Sequence, residues 1–247
     1  MHRFFVTAEI LAPQEIILPE EVVHHLVTVL RRPVGEEFLL LDGRGAICRC
    51  RLTAVSRRTA TARVVARWQQ PETAFPIRLL QALPKGDKME LVLQKGTELG
   101  ITSFVPVLAG RSVTTPRGQG EARLRRWEKI VQEAARQCRR PVLPHLSPPL
   151  PLAAALDQCR EPLRLVLWEE ESRPLATLLP AQPPAAAAIL VGPEGGFSAA
   201  EIAAARAAGF QSVAFGPRIL RSETAGFSMA SILQFLYGDL GALAALD

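Results

Sequence analysis

The 247-residue chain contains no apolar run near the ~20 residues that a membrane-crossing helix requires. Its start offers only Phe4-Phe5-Val6 before Glu9, too little for the apolar centre of a secretion signal, so a cytoplasmic protein is expected. Four cysteines, Cys48, Cys50, Cys138 and Cys159, show no zinc-ligand spacing. Cys48 and Cys50 fall on one face of a strand-like run, and all four read as reduced thiols in apolar positions. No GxGxxG dinucleotide fingerprint, Gly-Lys-Ser/Thr phosphate loop, GxSxG elbow, HExxH pair or Cys–His pattern is present. Tyrosine occurs once and tryptophan three times, so aromatic stacking on bases is not expected to dominate any contact with nucleic acid.

What is present is a hydrophobic fraction of 48%, ample for a core, and a net charge of +5 that is unevenly spread. Residues 1–70 carry +3 and residues 111–141 carry +6, whereas residues 142–247 carry −4. A basic front and a mildly acidic rear fit an extended polyanion that touches one side. Arginine outnumbers lysine 25 to 4, which suits phosphate contacts but would also follow from a GC-rich genome.

Residues 3–68 read mostly as strand: Arg3–Val6, Ile16–Leu18, Glu37–Leu41, Ala46–Val55 and Thr59–Trp68. Asp42-Gly43-Arg44-Gly45 supplies a hairpin turn. One helix, Glu20 to Leu30, is bounded by Pro19 and Pro33. His24 and His25 on it have no ligand-spaced partner and suit packing or an RNA contact. Together these elements predict a small β-barrel with one helix. Gln69–Pro76 reads as a linker. Beyond it strands (Ile77–Leu83, Ser103–Leu108, Leu163–Trp168, Ala187–Val191, Gln211–Phe215) alternate with helices (Asp87–Leu99, Glu121–Arg140, Ser198–Ala208, Ser222 onward), the pattern of a parallel sheet covered by helices. Ser198-x-x-Glu201 forms a capping box, and the last helix shows Ala225, Met229, Ile232, Leu233 and Leu236 on an apolar face.

Two of these strands run into similar loops, Gly192-Pro193-Glu194-Gly195-Gly196 and Gly216-Pro217-Arg218-Ile219-Leu220. In open α/β sheets ligands bind beyond the carboxyl ends of the strands, and glycines there let main-chain groups approach a ligand. Two such loops can be floor and wall of one pocket, with Ile219 and Leu220 placed to enclose an adenine. Arg221, Glu223 and Thr224 lie at a helix start, where an anion is favoured, although Ser222 and Glu223 can equally serve as cap and dipole compensation. On the long helix Glu133, Gln137 and Arg140 share one face, flanked by Arg136 and Arg139. Lys88, Lys95 and Glu98 sit near one another on an earlier helix, where intrahelical ion pairing is the default.

GPEGGF followed by GPRILRSETA resembles the C-terminal signature of ribosomal small-subunit methyltransferase E, a family of the SPOUT class. Three further stretches agree: His25-Leu26-x-x-Val29-Leu30-Arg31 with Gly35-Glu36; Lys85-x-Asp87-Lys88 with Gln94-Lys95-x-x-Glu98-Leu99-Gly100, Pro106 and Arg111-Ser112; and Glu133-Ala134-Ala135-x-Gln137-Cys138-x-Arg140. Glu36 stands where the family often has Asp, and Phe215 where Leu is common. The resemblance implies an α/β protein with a PUA-like RNA-binding β-barrel over residues 1–70 and a SPOUT methyltransferase domain over 71–247 whose chain end forms a trefoil knot. It implies a homodimer that uses S-adenosylmethionine, and no metal, to methylate N3 of one uridine in the decoding region of 16S rRNA within the assembled 30S subunit. On that reading Leu167, Gly192, Pro193, Glu194, Gly196, Gly216, Ile219, Leu220 and Thr224 hold the cofactor. Arg221 would contact the uracil oxygens, Glu223 is the candidate proton acceptor, and Arg31, Arg32, Arg111, Arg136 and Arg140 meet rRNA phosphates. The competing expectations are a non-catalytic rRNA-binding assembly factor and a SPOUT tRNA 2′-O-methyltransferase.

Overall fold

The structure is a computed structural model that describes residues 1–56, 59–72, 74–112, 120–170 and 173–241. By internal contacts the chain divides into two units: Met1–Glu72 with Ala135–Leu143, and Thr73–Ala134 with Pro144–Asp247.

In the first unit, strands β1 (Arg3–Phe5), β2 (Glu15–Ile17), β3 (Glu37–Leu41), β4 (Ala46–Val55) and β5 (Ala60–Gln69) form one five-stranded sheet in the order β1-β3-β4-β5-β2. The Asp42 carboxylate closes the β3–β4 hairpin by accepting from the N–H groups of Arg44 and Ala46. Alternate residues face the core, so Phe38, Leu40, Cys48, Cys50, Leu52, Ala62 and Val64 pack together. Burial pushes the Cys50 thiol up to about 12, which leaves it unreactive. A short helix, α1 (Ala8–Leu11), joins β1 to β2 and has no counterpart in the sequence pattern.

The expected Glu20–Leu30 helix is two pieces: α2 (Glu20–Val23) is α-helical, and His24–Val29 widens into a π-helix. The β-branched run Val27-Thr28-Val29 weakens α-helical preference there. Arg31, at φ 50°, ends the segment before Pro33. His25 packs edge-on against Phe4 with ring centroids 5.5 Å apart.

Among the described residues the second unit holds seven strands, all parallel: β6 (Ile77–Ala82), β7 (Ser103–Leu108), β8 (His145–Leu146), β9 (Leu150–Pro151), β10 (Leu163–Leu167), β11 (Ala187–Val191) and β12 (Gln211–Val213). Their order is β12-β10-β11-β6-β7-β8, with β9 also on β7. The helices are α3 (Lys88–Glu98), α4 (Gly120–Gln137), α5 (Leu152–Asp157), α6 (Ala199–Ala207) and α7 (Ser222–Tyr237). Segments β8, β9 and α5 were not announced by periodicity, because Pro144, Pro148, Pro149 and Pro151 interrupt it. Both faces of the sheet are covered: Ile77, Leu79, Leu165 and Ile189 enter one core, Leu80, Ala82, Val166, Ala188 and Leu190 the other.

Helices α4 and α7 differ from expectation. Helix α4 stops at Gln137 because Arg139, at φ 66°, adopts the left-handed conformation that closes helices, so Arg140 lies beyond it. On α7 the buried face runs through Ala225, Gly226, Met229, Ala230, Leu233 and Gln234, whereas Ile232 is half-buried and Leu236 exposed. Gln234, fully buried, accepts from the Phe75 N–H and donates to the carbonyls of Phe75 and Gly100. Gln234→Ala should therefore cost about 3 kcal/mol of unfolding free energy, since buried backbone groups lose their partners. Urea denaturation that gives less than half this loss would show that water replaces the amide.

Candidate active site

Parallel register places the carboxyl ends of three strands side by side. Leu167 of β10 pairs with Val191 of β11 on one side and Val213 of β12 on the other. The first Gly-Pro loop leaves directly from Val191 and the second follows β12, so the two flank the end of β10. Between them lies a cavity of about 530 Å³, lined by Leu167, Trp168, Glu169, Gly192–Glu194, Gly196, Phe197, Ala214–Ser222, Val191, Ala225 and Lys88.

The loops are held by their own chemistry. In the first, Gly196 donates to the Pro193 carbonyl at 2.9 Å in a tight turn and adopts φ 67°. A Cβ at Gly196 would come within 2.6 Å of Glu169 Oε1. Ser198 then caps α6 in a reciprocal box with Glu201, as the spacing predicts. In the second loop Gly216 adopts φ 79°, and nothing lies within 4 Å of where its Cβ would stand. Ser222 does not cap α7. Its hydroxyl donates to the Gly192 carbonyl at 2.6 Å and accepts from the buried Gln81 amide at 2.9 Å, which ties the start of α7 to the first loop.

Of the expected cofactor-holding residues, Leu167, Gly192, Pro193, Glu194, Gly196, Gly216, Ile219 and Leu220 line the cavity, and Thr224 does not. Ile219 is 87% exposed, an apolar side chain at the open rim. Trp168, Glu169, Phe197, Arg218, Ser222 and Lys88 also line the cavity. Trp168 immediately follows β10, and its place at the carboxyl end of a strand of the expected parallel sheet was the signal for it in the sequence.

Arg221 lines the cavity with its side chain 80% exposed. Glu223 is placed differently from what proton acceptance requires. It is 7% exposed, is absent from the cavity wall, and its carboxylate faces cations: Lys88 Nζ lies 3.4 Å from Oε2 and Arg221 Nη1 3.9 Å from Oε1. Lys88 does not pair within its helix, as the spacing had suggested. Its ammonium donates to Glu194 Oε1 at 2.9 Å, while Lys95 does pair intrahelically with Glu98. The Lys85 N–H also donates to Glu194, at 3.0 Å. Burial pushes the Glu194 carboxyl up, but these donors outweigh it and hold the group below its ordinary 4.5. The hydrogen bond to Glu194 raises Lys88 above its ordinary 10.5.

The expected RNA-facing arginines fare unequally. Arg31 is exposed. Arg32 is 3.4 Å from Glu36. Arg111 is exposed and donates to the Gly195 carbonyl at 2.6 Å, bracing the first loop. Arg136 is half-buried. Arg140 is 9% exposed, and its Nε donates to Glu72 at 3.1 Å, so its charge is already neutralised inside the first unit and an RNA phosphate would have to displace a carboxylate.

The arrangement suits a ligand with an aromatic base and charged ends. The cavity lies within the usual few hundred to a thousand Å³ for small-molecule sites. Its walls combine apolar side chains and main-chain groups with the charged Lys88, Glu169, Glu194, Arg218 and Arg221, and the buried Trp168 Nε1 donor has no hydrogen-bond partner among the described residues. Residues 71–234 match the RNA methyltransferase domain model and residues 18–65 the RNA methyltransferase PUA domain model. The chain is 36% identical to ribosomal RNA small subunit methyltransferase E of Synechocystis over 91% of its own length and 74% of the relative's, and 33% identical to that of Bacillus subtilis over 91% of each. The chain belongs to the ribosomal RNA small subunit methyltransferase E family. A crystal structure of the Neisseria gonorrhoeae family member, bound to S-adenosyl methionine, superposes with a TM-score of 0.88 at 33% identity, covering 97% of this chain and 99% of that one.

The pairing of Glu194 with Lys88 sets a pH window for these family loops. A depressed carboxyl stabilises fully above its ordinary 4.5 and loses that contribution as pH falls through its folded value; a raised amine stabilises fully below 10.5 and loses it as pH rises through its folded value. The melting-temperature difference between wild type and Glu194→Gln should stay flat across neutral pH and close at both extremes. Thermal unfolding that shows a constant difference down to strongly acid pH would contradict this.

Proposed function

We propose that this chain transfers the methyl group of S-adenosylmethionine to N3 of a uridine in the decoding region of 16S rRNA. The observation that carries the reading is the meeting of two Gly-Pro loops at neighbouring strand ends, with Arg221 on the cavity wall. Leu167, Gly192, Pro193, Glu194, Gly196, Gly216, Ile219 and Leu220 would hold the cofactor, with Thr224 supporting the start of α7 behind them. Bound there, the cofactor supplies a methyl group already activated on a sulfonium.

The protein's task is the acceptor. Uridine N3 carries a proton, and its electron pair is delocalised into two carbonyls. Loss of the proton leaves negative charge on O2 and O4. A guanidinium has donors and no acceptor, so Arg221 cannot take the proton but can stabilise that charge. Glu223, turned toward Lys88 and Arg221, orients these cations, and the proton leaves to water at the open rim formed by Gly216–Ile219, all exposed. The N3 edge is normally paired, so the base must be unpaired or turned out of its stack.

The resemblance supports the remaining parts of the reading: closure of the first-unit sheet into a PUA-like barrel, a trefoil knot in the second unit, action on the assembled 30S subunit in the cytoplasm, and a homodimer. No helix among the described residues is long and apolar enough to cross a membrane, and no described cluster of His, Cys, Asp or Glu could hold a metal. Phe235, 65% exposed, and Leu236 give α7 an apolar surface that a second copy could cover. Exposed Arg31 and the exposed Arg125, Arg126 and Lys129 of α4 favour phosphate contact, so binding should weaken steeply with salt.

Arg221→Ala should lower turnover on small subunits about 100- to 1,000-fold while cofactor affinity stays within a few-fold. Mass spectrometry of the modified nucleotide with single-turnover rates checks both parts. A product other than N3-methyluridine, or near-normal turnover of the variant, would refute the assignment.

A further inference from the structure

Lys88 is the point where the first loop and the start of α7 meet electrostatically. It is the first residue of α3, where the helix dipole disfavours a cation, and Asp87 before it makes no side-chain cap. Two carboxylates from different segments nevertheless converge on its ammonium: Glu194 at 2.9 Å and Glu223 at 3.4 Å. Lys88 and Arg221 both line the cavity and both reach the one carboxylate of Glu223, which places the two cations on the same side. The Glu223 carboxylate itself is buried behind them, with Oε2 lacking a hydrogen bond. An ammonium has three donors, and Glu194 takes one at hydrogen-bond distance.

The uracil anion has two oxygens, one on each side of N3, and a single arginine matches only one of them well. Resting on the uridine-N3 reading above, we propose that Lys88 is a second catalytic residue: its ammonium, steered by Glu194 and Glu223, stabilises one carbonyl oxygen of the deprotonated uracil while Arg221 stabilises the other. The N3–H bond breaks and its proton passes to water at the rim. The N3 electron pair forms the new N–CH₃ bond as the S–CH₃ bond of the donor breaks, and that pair remains on sulfur. Lys88 keeps its proton throughout, consistent with its raised basicity.

The test is Lys88→Met, assayed on 30S subunits with S-adenosylmethionine across pH, alongside cofactor titration by calorimetry. The expected result is a fall of about 100-fold in kcat, with KM and cofactor Kd within about 3-fold. The apparent pKa of the rising kcat–pH limb should also move upward by about one unit or more, because removing a cation disfavours the anion. Lys88→Arg should restore part of the rate. Loss of rate with an unmoved pH limb would overturn the proposal, as would turnover within about 3-fold of wild type.

Glu201→Ala removes the tie to the Gly110 N–H and the capping box beside the first loop without touching the cavity, so it guards against a variant that merely loosens the loops. It should retain most turnover, and a loss equal to that of Lys88→Met would overturn the proposal by showing that loosening alone accounts for the fall. A wild-type product other than N3-methyluridine would instead sink the functional reading, and this proposal with it.

Discussion

Everything at the site depends on the parallel pairing of β10 with both β11 and β12. Because Leu167 stands level with Val191 and with Val213, chain that leaves the sheet at these points emerges at one edge. Parallel strands buried on both faces tolerate little slippage, since a one-residue shift would exchange the two cores and put every side chain on the wrong face. The core residues Leu165, Ile189 and Val213 on one face, and Val166 and Leu190 on the other, therefore position a cavity they do not all touch.

The loops are then tied by a few polar contacts. The chain Gln81–Ser222–Gly192 links β6, α7 and the first loop through one buried and one half-buried hydrogen bond, and such bonds are worth more in a low-dielectric interior than in water. Arg111 on the Gly195 carbonyl and Glu201 on the Gly110 N–H brace the same loop from outside. The result is a pocket of main-chain and apolar groups in which Lys88 and Arg221 both reach the buried carboxylate of Glu223.

The basic character of the chain divides into working and structural parts. Arg140 is folded onto Glu72 and Arg111 onto a carbonyl, so both contribute to architecture, whereas Arg31 remains exposed at the end of a π-helical turn. A count of arginines per segment therefore overstates the charge available to a polyanion.

Much was legible in the chain alone. Apolar runs closed by Gly-Pro, the Ser198–Glu201 box and the Asp42–Gly45 turn are local signals, because each depends on backbone sterics or hydrogen bonds within a few residues. They located most of the strands, the start of α6 and the two loops whose residues line the cavity. What needed the tertiary structure was partner choice. Lys88 has Lys95 and Glu98 as sequence neighbours, yet it binds Glu194, more than a hundred residues away. Glu223 sits beside Arg221 in sequence but turns inward, away from the cavity wall. Arg140 continues a helical charge pattern that the left-handed turn at Arg139 breaks. Electrostatic pairing and burial depend on distance in space, and the sequence determines that distance only through the register of the sheet.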